Sequence, residues 1–407
     1  MTRLAVWPLL VVVTLASCQR ERWELPCGLC GASSRSSNYA HIASEPPLLP
    51  FLRPLHHPDT SACLFPPLAP STRLTVVATA AGSIIAFTPT DSLWTYRLPK
   101  GVAAASTMAA DTSTLYVLGT DGVLYALTFG GSLRWQKALF QPLTNGGGPY
   151  THLLPLRDGV VAGEVSGRLV RISSTGQTLW EQRRGASVDR LPAADESGNV
   201  FVGLTSADSH GDTVLFIDSS GQQRWARGLP DTRLSCSPVA GKSVFFAAGV
   251  REGPAESTPV IHAFTASGQL LWSRTLPAVP RWLSVDDANT VFIVAHSRGI
   301  GEPISAVFAY DSTGQQRWKL YIQATVATPA IVFWNELLVF VRYPNGALAA
   351  YTLSRADGSL RDMVSLEEAP PLLLSPTVAP DGSILLAWST RLGLLRLGEH
   401  PWRWLLF

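Results

Sequence analysis

The chain has 407 residues, and its Lys and Arg are nearly balanced by acids to a formal charge of +2. That leaves no basic stripe of the kind a phosphate backbone requires, so nucleic acid is not an expected partner. Charged residues make up only 15% and hydrophobic residues 46%, beside 33 Gly and 30 Pro, a turn-rich composition that can bury a large core and excludes a disordered chain.

The first element is an apolar run from Leu4 to Ala16 behind Met1-Thr2-Arg3, the length of a signal-peptide core and too short to span a bilayer comfortably. It ends in Leu15-Ala16-Ser17-Cys18, which resembles the bacterial lipobox and marks Cys18 as the lipidated first residue of the mature chain. Residues 1–17 are thus read as a lipoprotein signal peptide. Gln19 stands where an inner-membrane retention signal of the enteric type would place Asp, so an exported lipoprotein of the outer membrane, facing the periplasm, is expected. Acyl chains would be its membrane attachment.

Residues 18–70 are rich in Ser and Pro with no sustained period, and are read as a Cys-bearing flexible tether. Cys27-Gly-Leu-Cys30 has a spacer that lets both sulfurs reach one metal or each other. No βαβ pattern surrounds it and no second Cys or His pair follows at zinc-ribbon spacing, so a disulfide or an inert tether is expected and no metal. Cys63 and Cys236 complete the thiols, and the adjacent pair His56-His57 reads as a solvated loop.

From residue 71 to 407 the chain repeats itself. A turn glycine stands four residues before a Trp at Gly131/Trp135, Gly176/Trp180, Gly221/Trp225, Gly268/Trp272, Gly314/Trp318 and Gly398/Trp402. Trp94 opens the series, and Gly358 leads to Asp362 where Trp is due. Eight marks spaced 40 to 47 residues apart mean eight units. Within each unit apolar residues alternate over four to six positions, with Asp-Gly, Ser-Gly or Thr-Gly between the runs, so each supplies about four short antiparallel strands. The fold class is all-β: an eight-bladed β-propeller of four-stranded antiparallel blades, preceded by the signal peptide and tether. Trp94, Trp135, Trp180, Trp225, Trp272, Trp318 and Trp402 fall on the outer strands, where each can wedge against the next blade while its N–H finds a carbonyl. Asp362 predicts a weaker or more polar junction at blade 7. Ring closure is expected to bring residues 68–77 against the final strand near 402–407.

The repeat core, Gly-x-Leu-Tyr-Ala-Leu before a turn and then Gly-x-Leu-x-Trp, resembles the pyrroloquinoline-quinone-like repeat family over residues from about 71 to 407. With a lipobox ahead of eight such blades, the resemblance implies a non-catalytic, lipid-anchored scaffold in an envelope protein complex, that of outer-membrane β-barrel assembly. The family also contains quinone-dependent dehydrogenases, the alternative reading. Those enzymes hold the quinone over a cation with adjacent cysteines, a carboxylate, an amide and a catalytic Asp, and this chain has no Cys-Cys pair. A glycan- or peptidoglycan-binding propeller is the third reading. No catalytic residue and no cofactor is assigned: the sequence has no Gly-x-Ser-x-Gly elbow, no His-Glu-x-x-His and no phosphate-cradling loop. Gly146-Gly147-Gly148 reads as an inter-blade loop, and His152, His262 and His296 read as satisfied core or surface residues.

The turn between second and third strands is tight in blades 2 and 7 and enlarged in blades 4, 5 and 6, at residues 205–212, 250–259 and 297–303. These insertions carry Asp208, His210, Asp212, Arg251, Glu252, Glu256, Arg298 and Glu302, a mixed-charge set suited to a protein or glycan partner. Three consecutive blades would raise one contiguous rim, and function concentrates on loops held by a rigid scaffold. Asp208 and Asp212 alone lack the ligand count of a calcium site.

Overall fold

The computed structural model describes residues 65–366, apart from 72–73, 89–91, 144–149, 152, 207–210, 254–255, 298–304 and 334, together with the backbone of strands at 39–40, 51–55, 377–378, 384–388 and 391–396. Its strands form eight sheets. Blade 1 runs outward through Leu68–Ser71, Leu74–Ala78, Ser83–Phe87 and Ser92–Arg97, each strand antiparallel to the last. Blades 2, 3, 4 and 6 repeat this four-strand order. In blade 5 the inner strand is split into Thr232–Leu234 and Val239–Ala240, and in blade 7 into Thr325–Val326 and Ile331–Phe333.

The second and third strands of a blade are buried on both faces, as Ser83–Phe87 and Thr114–Leu118 are throughout their length. They therefore read as unbroken apolar runs. Outer strands such as Leu133–Ala138 alternate between exposed and half-buried positions. The core is accordingly a series of layers between blades. Val76, Ala86, Leu115 and Leu127 fill the first, while Phe201, Phe216, Phe245 and Phe264 fill the layer between blades 4 and 5.

The motif glycine and Trp meet across those layers. A methyl group placed on Gly314 would lie 2.6 Å from Trp272 Cδ2, and on Gly358 2.5 Å from Trp318 Cε3. Both glycines have positive φ, at 79° and 71°, so turn geometry and the indole together exclude a side chain. In five blades the indole N–H then donates to a carbonyl in the same turn: Trp94 to Phe129 at 2.9 Å, Trp135 to Ser174 at 2.9 Å, Trp225 to Ala266 at 2.8 Å, Trp272 to Ser312 at 2.8 Å and Trp318 to Arg355 at 2.8 Å. Two residues after the Trp, Lys137, Gln182, Arg227 and Arg274 each donate to the glycine carbonyl itself. The repeat motif is thus a latch from each blade to the next. At blade 7, Asp362 turns its carboxylate to the adjacent Met363 N–H at 2.8 Å; Trp402 lies outside the described residues.

Residues 402–407, expected at ring closure, lie outside the described residues. Leu68–Ser71 packs alongside Thr377–Val378, so the inner strands of blades 1 and 8 meet. Among the described residues the outer strand of blade 8 is Phe51–Leu55, antiparallel to Arg391–Arg396 with Phe51 opposite Arg396 and Leu55 opposite Leu392. Residues read as tether complete the last sheet. Pro54 interrupts the strand pattern in sequence, yet an edge strand tolerates a residue that cannot donate. Tyr39–Ala40 adds a parallel pairing to Ile331–Phe333 of blade 7. The signal segment and Cys18, Cys27, Cys30 and Cys63 lie outside the described residues.

Candidate functional site

In a four-stranded meander the hairpin between second and third strands and the link to the next blade emerge on one face, and backbone hydrogen bonds tie the two together here. Thr120 N–H donates to Ala103 O in the incoming link at 2.9 Å, and Leu143 N–H in the outgoing link donates to Thr120 O at 2.9 Å. Ser187 and Thr205 exchange N–H to O bonds of 3.0 and 2.8 Å. Glu252 N–H donates to Asp231 O at 2.6 Å. Every hairpin named is thus anchored to a neighbouring blade's link.

Asp212 belongs to that scaffold and not to the exposed rim. It is 1% exposed. Its carboxylate accepts from Leu234 N–H at 2.7 Å, Ser206 N–H at 3.1 Å and Arg233 Nη1 at 3.1 Å, while its own N–H donates to Thr232 O at 2.8 Å. An acid at this position binds the blade 4 hairpin to the blade 5 inner strand, and a charge so enclosed needs all of these donors. Arg251, Glu252 and Glu256 are exposed as expected. Part of the 250–259 insertion is strand, because Val244–Arg251 and Thr258–Thr265 extend as a ladder through Val250/Pro259 and Arg251/Thr258. Asp208, His210, Arg298 and Glu302 lie outside the described residues, as do His152 and Gly146-Gly147-Gly148.

Side chains add to these bonds, since Thr205 Oγ1 donates to Asp189 Oδ1 at 2.6 Å and Arg190 Nη2 donates to Leu234 O at 3.0 Å. Cys236 is buried among apolar neighbours, which pushes its thiol up to about 12 and makes it inert. His296 is satisfied, its Nε2 2.9 Å from Val326 O and its ring edge-on to Trp282 at 5.6 Å.

His262 is not satisfied. It is 7% exposed on the third strand of blade 5; its Nδ1 meets Ser273 Oγ, and its buried Nε2 has no hydrogen-bond partner among the described residues. Burial, with Arg251 nearby as the lesser cause, lowers its pKa to about 4, so the ring is neutral at pH 7. It lines a cleft of about 540 Å³ between blades 4 and 5, shared with Arg227, Asp231, Arg251, Phe264 and Ser273 among others. Aligning the repeats on the residue that opens the last hairpin places Ile85, Tyr125, Val170, Leu215, Phe308 and Tyr351 where blade 5 has His262. That departure was a signal available in the sequence.

Quinone chemistry on this fold needs a cation held by converging acids. Among the described residues no three His, Cys, Asp or Glu side chains gather to hold a metal ion, so the described side chains do not supply such a set of acids. Among the described residues no helix is long and apolar enough to cross a membrane.

Comparison with solved structures gives the same architecture. BamB from Moraxella catarrhalis superposes with a TM-score of 0.60 at 17% identity, covering 86% of this chain and 99% of that one. Quinohemoprotein alcohol dehydrogenase from Comamonas testosteroni gives 0.64 at 12% identity over 92% of this chain and 81% of that one. Sqt1 from Saccharomyces cerevisiae gives 0.58 at 12% identity over 85% and 98%. At such identities these matches establish the β-propeller fold alone. No curated protein sequence matches the chain. A family model does: the one described as outer membrane protein assembly factor BamB, with pyrroloquinoline-quinone-like repeats, matches residues 80–300, more than half of the chain, and the protein belongs to that family.

Proposed function

We propose that this protein is a non-catalytic, lipid-anchored scaffold of the cell envelope that presents the hairpin-and-link face of its propeller to protein partners in outer-membrane β-barrel assembly. The observation that carries the reading is the construction of that face. Its hairpins are fixed to neighbouring blades by backbone bonds and by the buried Asp212 carboxylate, while the tips offer Arg251, Glu252 and Glu256 to solvent. A pre-organised rim with charges of both signs favours specific docking, since little ordering entropy is lost on binding and mismatched partners meet like charges. The family description names outer-membrane assembly, and Leu15-Ala16-Ser17-Cys18 supports the anchor.

The test is a mild-detergent capture from native membranes with the full-length chain beside Cys18→Ala, followed by mass spectrometry. Membrane retention is expected to be lost with Cys18, and barrel-assembly components are expected to accompany the anchored form. A version lacking residues 207–210 and 253–256, which spares Asp212 and the Arg251/Thr258 ladder pair, is expected to keep the fold and lose those partners. Undiminished capture by the shortened version overturns the choice of face, and absence of assembly components from the full-length capture overturns the partner class.

A further inference from the structure

We propose that residues 32–38 thread the centre of the ring from the hairpin-and-link face, so that the tether turns that face toward its membrane anchor. The threading stands on strand pairing; the orientation rests in addition on the lipid anchor proposed above.

Strand order places the tether on the axis. In the other blades the inner strand ends its sheet among the described residues, but in blade 7 Tyr39–Ala40 is added beyond Ile331–Phe333. That inner strand is bonded to Glu336–Arg342 on its outward edge. The added residues therefore lie on the axial edge, whose N–H and C=O groups are otherwise without a ladder. Where consecutive inner strands meet, their Cα atoms come within 8 Å. Eight such chords close a circle of radius about 10 Å, and a strand paired about 4.8 Å from the wall fits inside it.

Strand direction gives the face of entry. Thr325–Val326 follows the link from blade 6 and Ile331–Phe333 precedes the turn into Glu336–Arg342, so this inner strand runs away from the hairpin-and-link face. The pairing of Tyr39–Ala40 with it is parallel, and the chain accordingly arrives from that face. Phe51–Leu55 agrees independently. It is antiparallel to Arg391–Arg396, the third strand of blade 8, which also runs away from the hairpins. Residues 41–50 then need only cross the opposite face, about 15 Å from inner to outer strand, well within their reach of about 33 Å.

Carried back in the same register, Ala32 stands opposite Thr325, where the inner strand of blade 7 begins. Residues 32–38 read Ala-Ser-Ser-Arg-Ser-Ser-Asn. All but Arg35 are small, which suits a segment enclosed by inner strands, and Ser and Asn can bond free backbone groups along the edge. Residues 19–31 remain between the ring and Cys18 and span at most about 43 Å. An acylated Cys18 thus holds the hairpin-and-link face, with Arg251 and Glu252, toward the bilayer.

The test uses the full-length chain with Cys27, Cys30 and Cys63 replaced by Ser, Cys236 being buried. One spin label is placed at Ser34→Cys and a second at Leu93→Cys, Leu179→Cys or Leu271→Cys, each the exposed residue before the Trp in blades 1, 3 and 5. A point near the axis is almost equidistant from all outer strands, so the three dipolar distances are expected to agree within about 10 Å. A wider spread puts the tether outside the ring and overturns the threading. On the unlabelled protein trypsin is expected to cut at Arg22 at least tenfold faster than at Arg35; equal rates overturn it as well. The face is read by energy transfer from a donor at Glu256→Cys or Ser267→Cys, on the two faces of blade 5, to a headgroup acceptor in phosphatidylethanolamine–phosphatidylglycerol vesicles. Stronger transfer from position 256 is expected, and stronger transfer from 267 overturns the face of entry. If the acylated chain does not bind the vesicles, the anchor and the orientation fall together, while the distances still decide the threading.

Discussion

Arg171 Nη1 donates to the Ser219 carbonyl at 2.6 Å, and the Trp180 indole, whose counterparts in five other blades each donate to the corresponding turn, has no acceptor among the described residues. An arginine on the third strand of blade 3 has taken over the latch. It is held by Asp158 at 2.8 Å, and the two side chains are 7% and 59% exposed. Arg171→Leu is expected to change stability by less than about 1 kcal/mol, because Asp158 is largely solvated and the Ser219 carbonyl returns to Trp180. Arg171→Ala is expected to cost about 2 kcal/mol through the void it leaves. Urea denaturation reads the difference, and slowed hydrogen exchange at the Trp180 indole in the leucine variant checks the mechanism.

The turn glycines divide into two kinds. Gly314→Ala places a methyl 2.6 Å from the Trp272 indole at a φ of 79°, whereas Gly346→Ala meets nothing within 4 Å at a φ of 87°. Both carry the left-handed strain of about 1 kcal/mol, but only the first must also displace an indole. Gly314→Ala is expected to lower stability by about 3 kcal/mol and Gly346→Ala by about 1 kcal/mol. Equal denaturation midpoints for the two would show that the Trp latch contributes nothing.

The ring was legible in the sequence because its strongest constraints are local and repeated. A glycine four residues before a Trp records both a turn and a contact with the preceding blade. Asp212 was misplaced as an exposed rim residue because its partners Leu234 and Arg233 come from the next blade, and no short-range pattern shows that a loop acid points inward. Phe51–Leu55 was hidden by Pro54 and by a pairing partner more than 300 residues away. His262 carried a signal that only comparison among repeats exposes, since its apolar flanks are those of any core histidine.

Asp212 gives a direct check of the rim's construction. Asp212→Ala removes the acceptor of the buried Leu234 N–H and the carboxylate beside Arg233, whose Nη1 keeps its bond to Ser206 O. A loss of about 2–4 kcal/mol is expected, together with faster amide exchange at Leu234. Exposed Glu256→Ala is expected to fall within about 0.5 kcal/mol of the parent. An Asp212→Ala protein with unchanged exchange at Leu234 would mean that the hairpin is held by something else.

Removing residues 51–55 uncovers the pairing edge of Arg391–Arg396. A free edge strand is a template for association, so the truncated protein is expected to melt at lower temperature and to aggregate on heating. Restoring the same five residues as a separate peptide at high concentration is expected to raise the melting temperature again. Light scattering and calorimetry make the measurement; unaltered melting would remove this strand from the closure of the ring.

His262 makes stability depend on pH in a window fixed by its shift. Its folded pKa is depressed from 6.5 to about 4 by burial, with the Arg251 charge adding to the effect. The unfolded chain therefore binds a proton between those values that the folded chain refuses, and stability falls as pH drops from about 6.5 to about 4. Arg227, Arg251 and Asp231 are the charged groups lining the same cleft, and the arginines stay charged throughout. The loss attributable to this one residue is expected to be up to about 3 kcal/mol. His262→Phe, the residue blade 6 has in register, is expected to be more stable than the parent at pH 5 by more than at pH 7.5. Guanidinium denaturation of both proteins at the two pH values measures that difference. A gap independent of pH would show that the imidazole is not kept neutral in the folded ring.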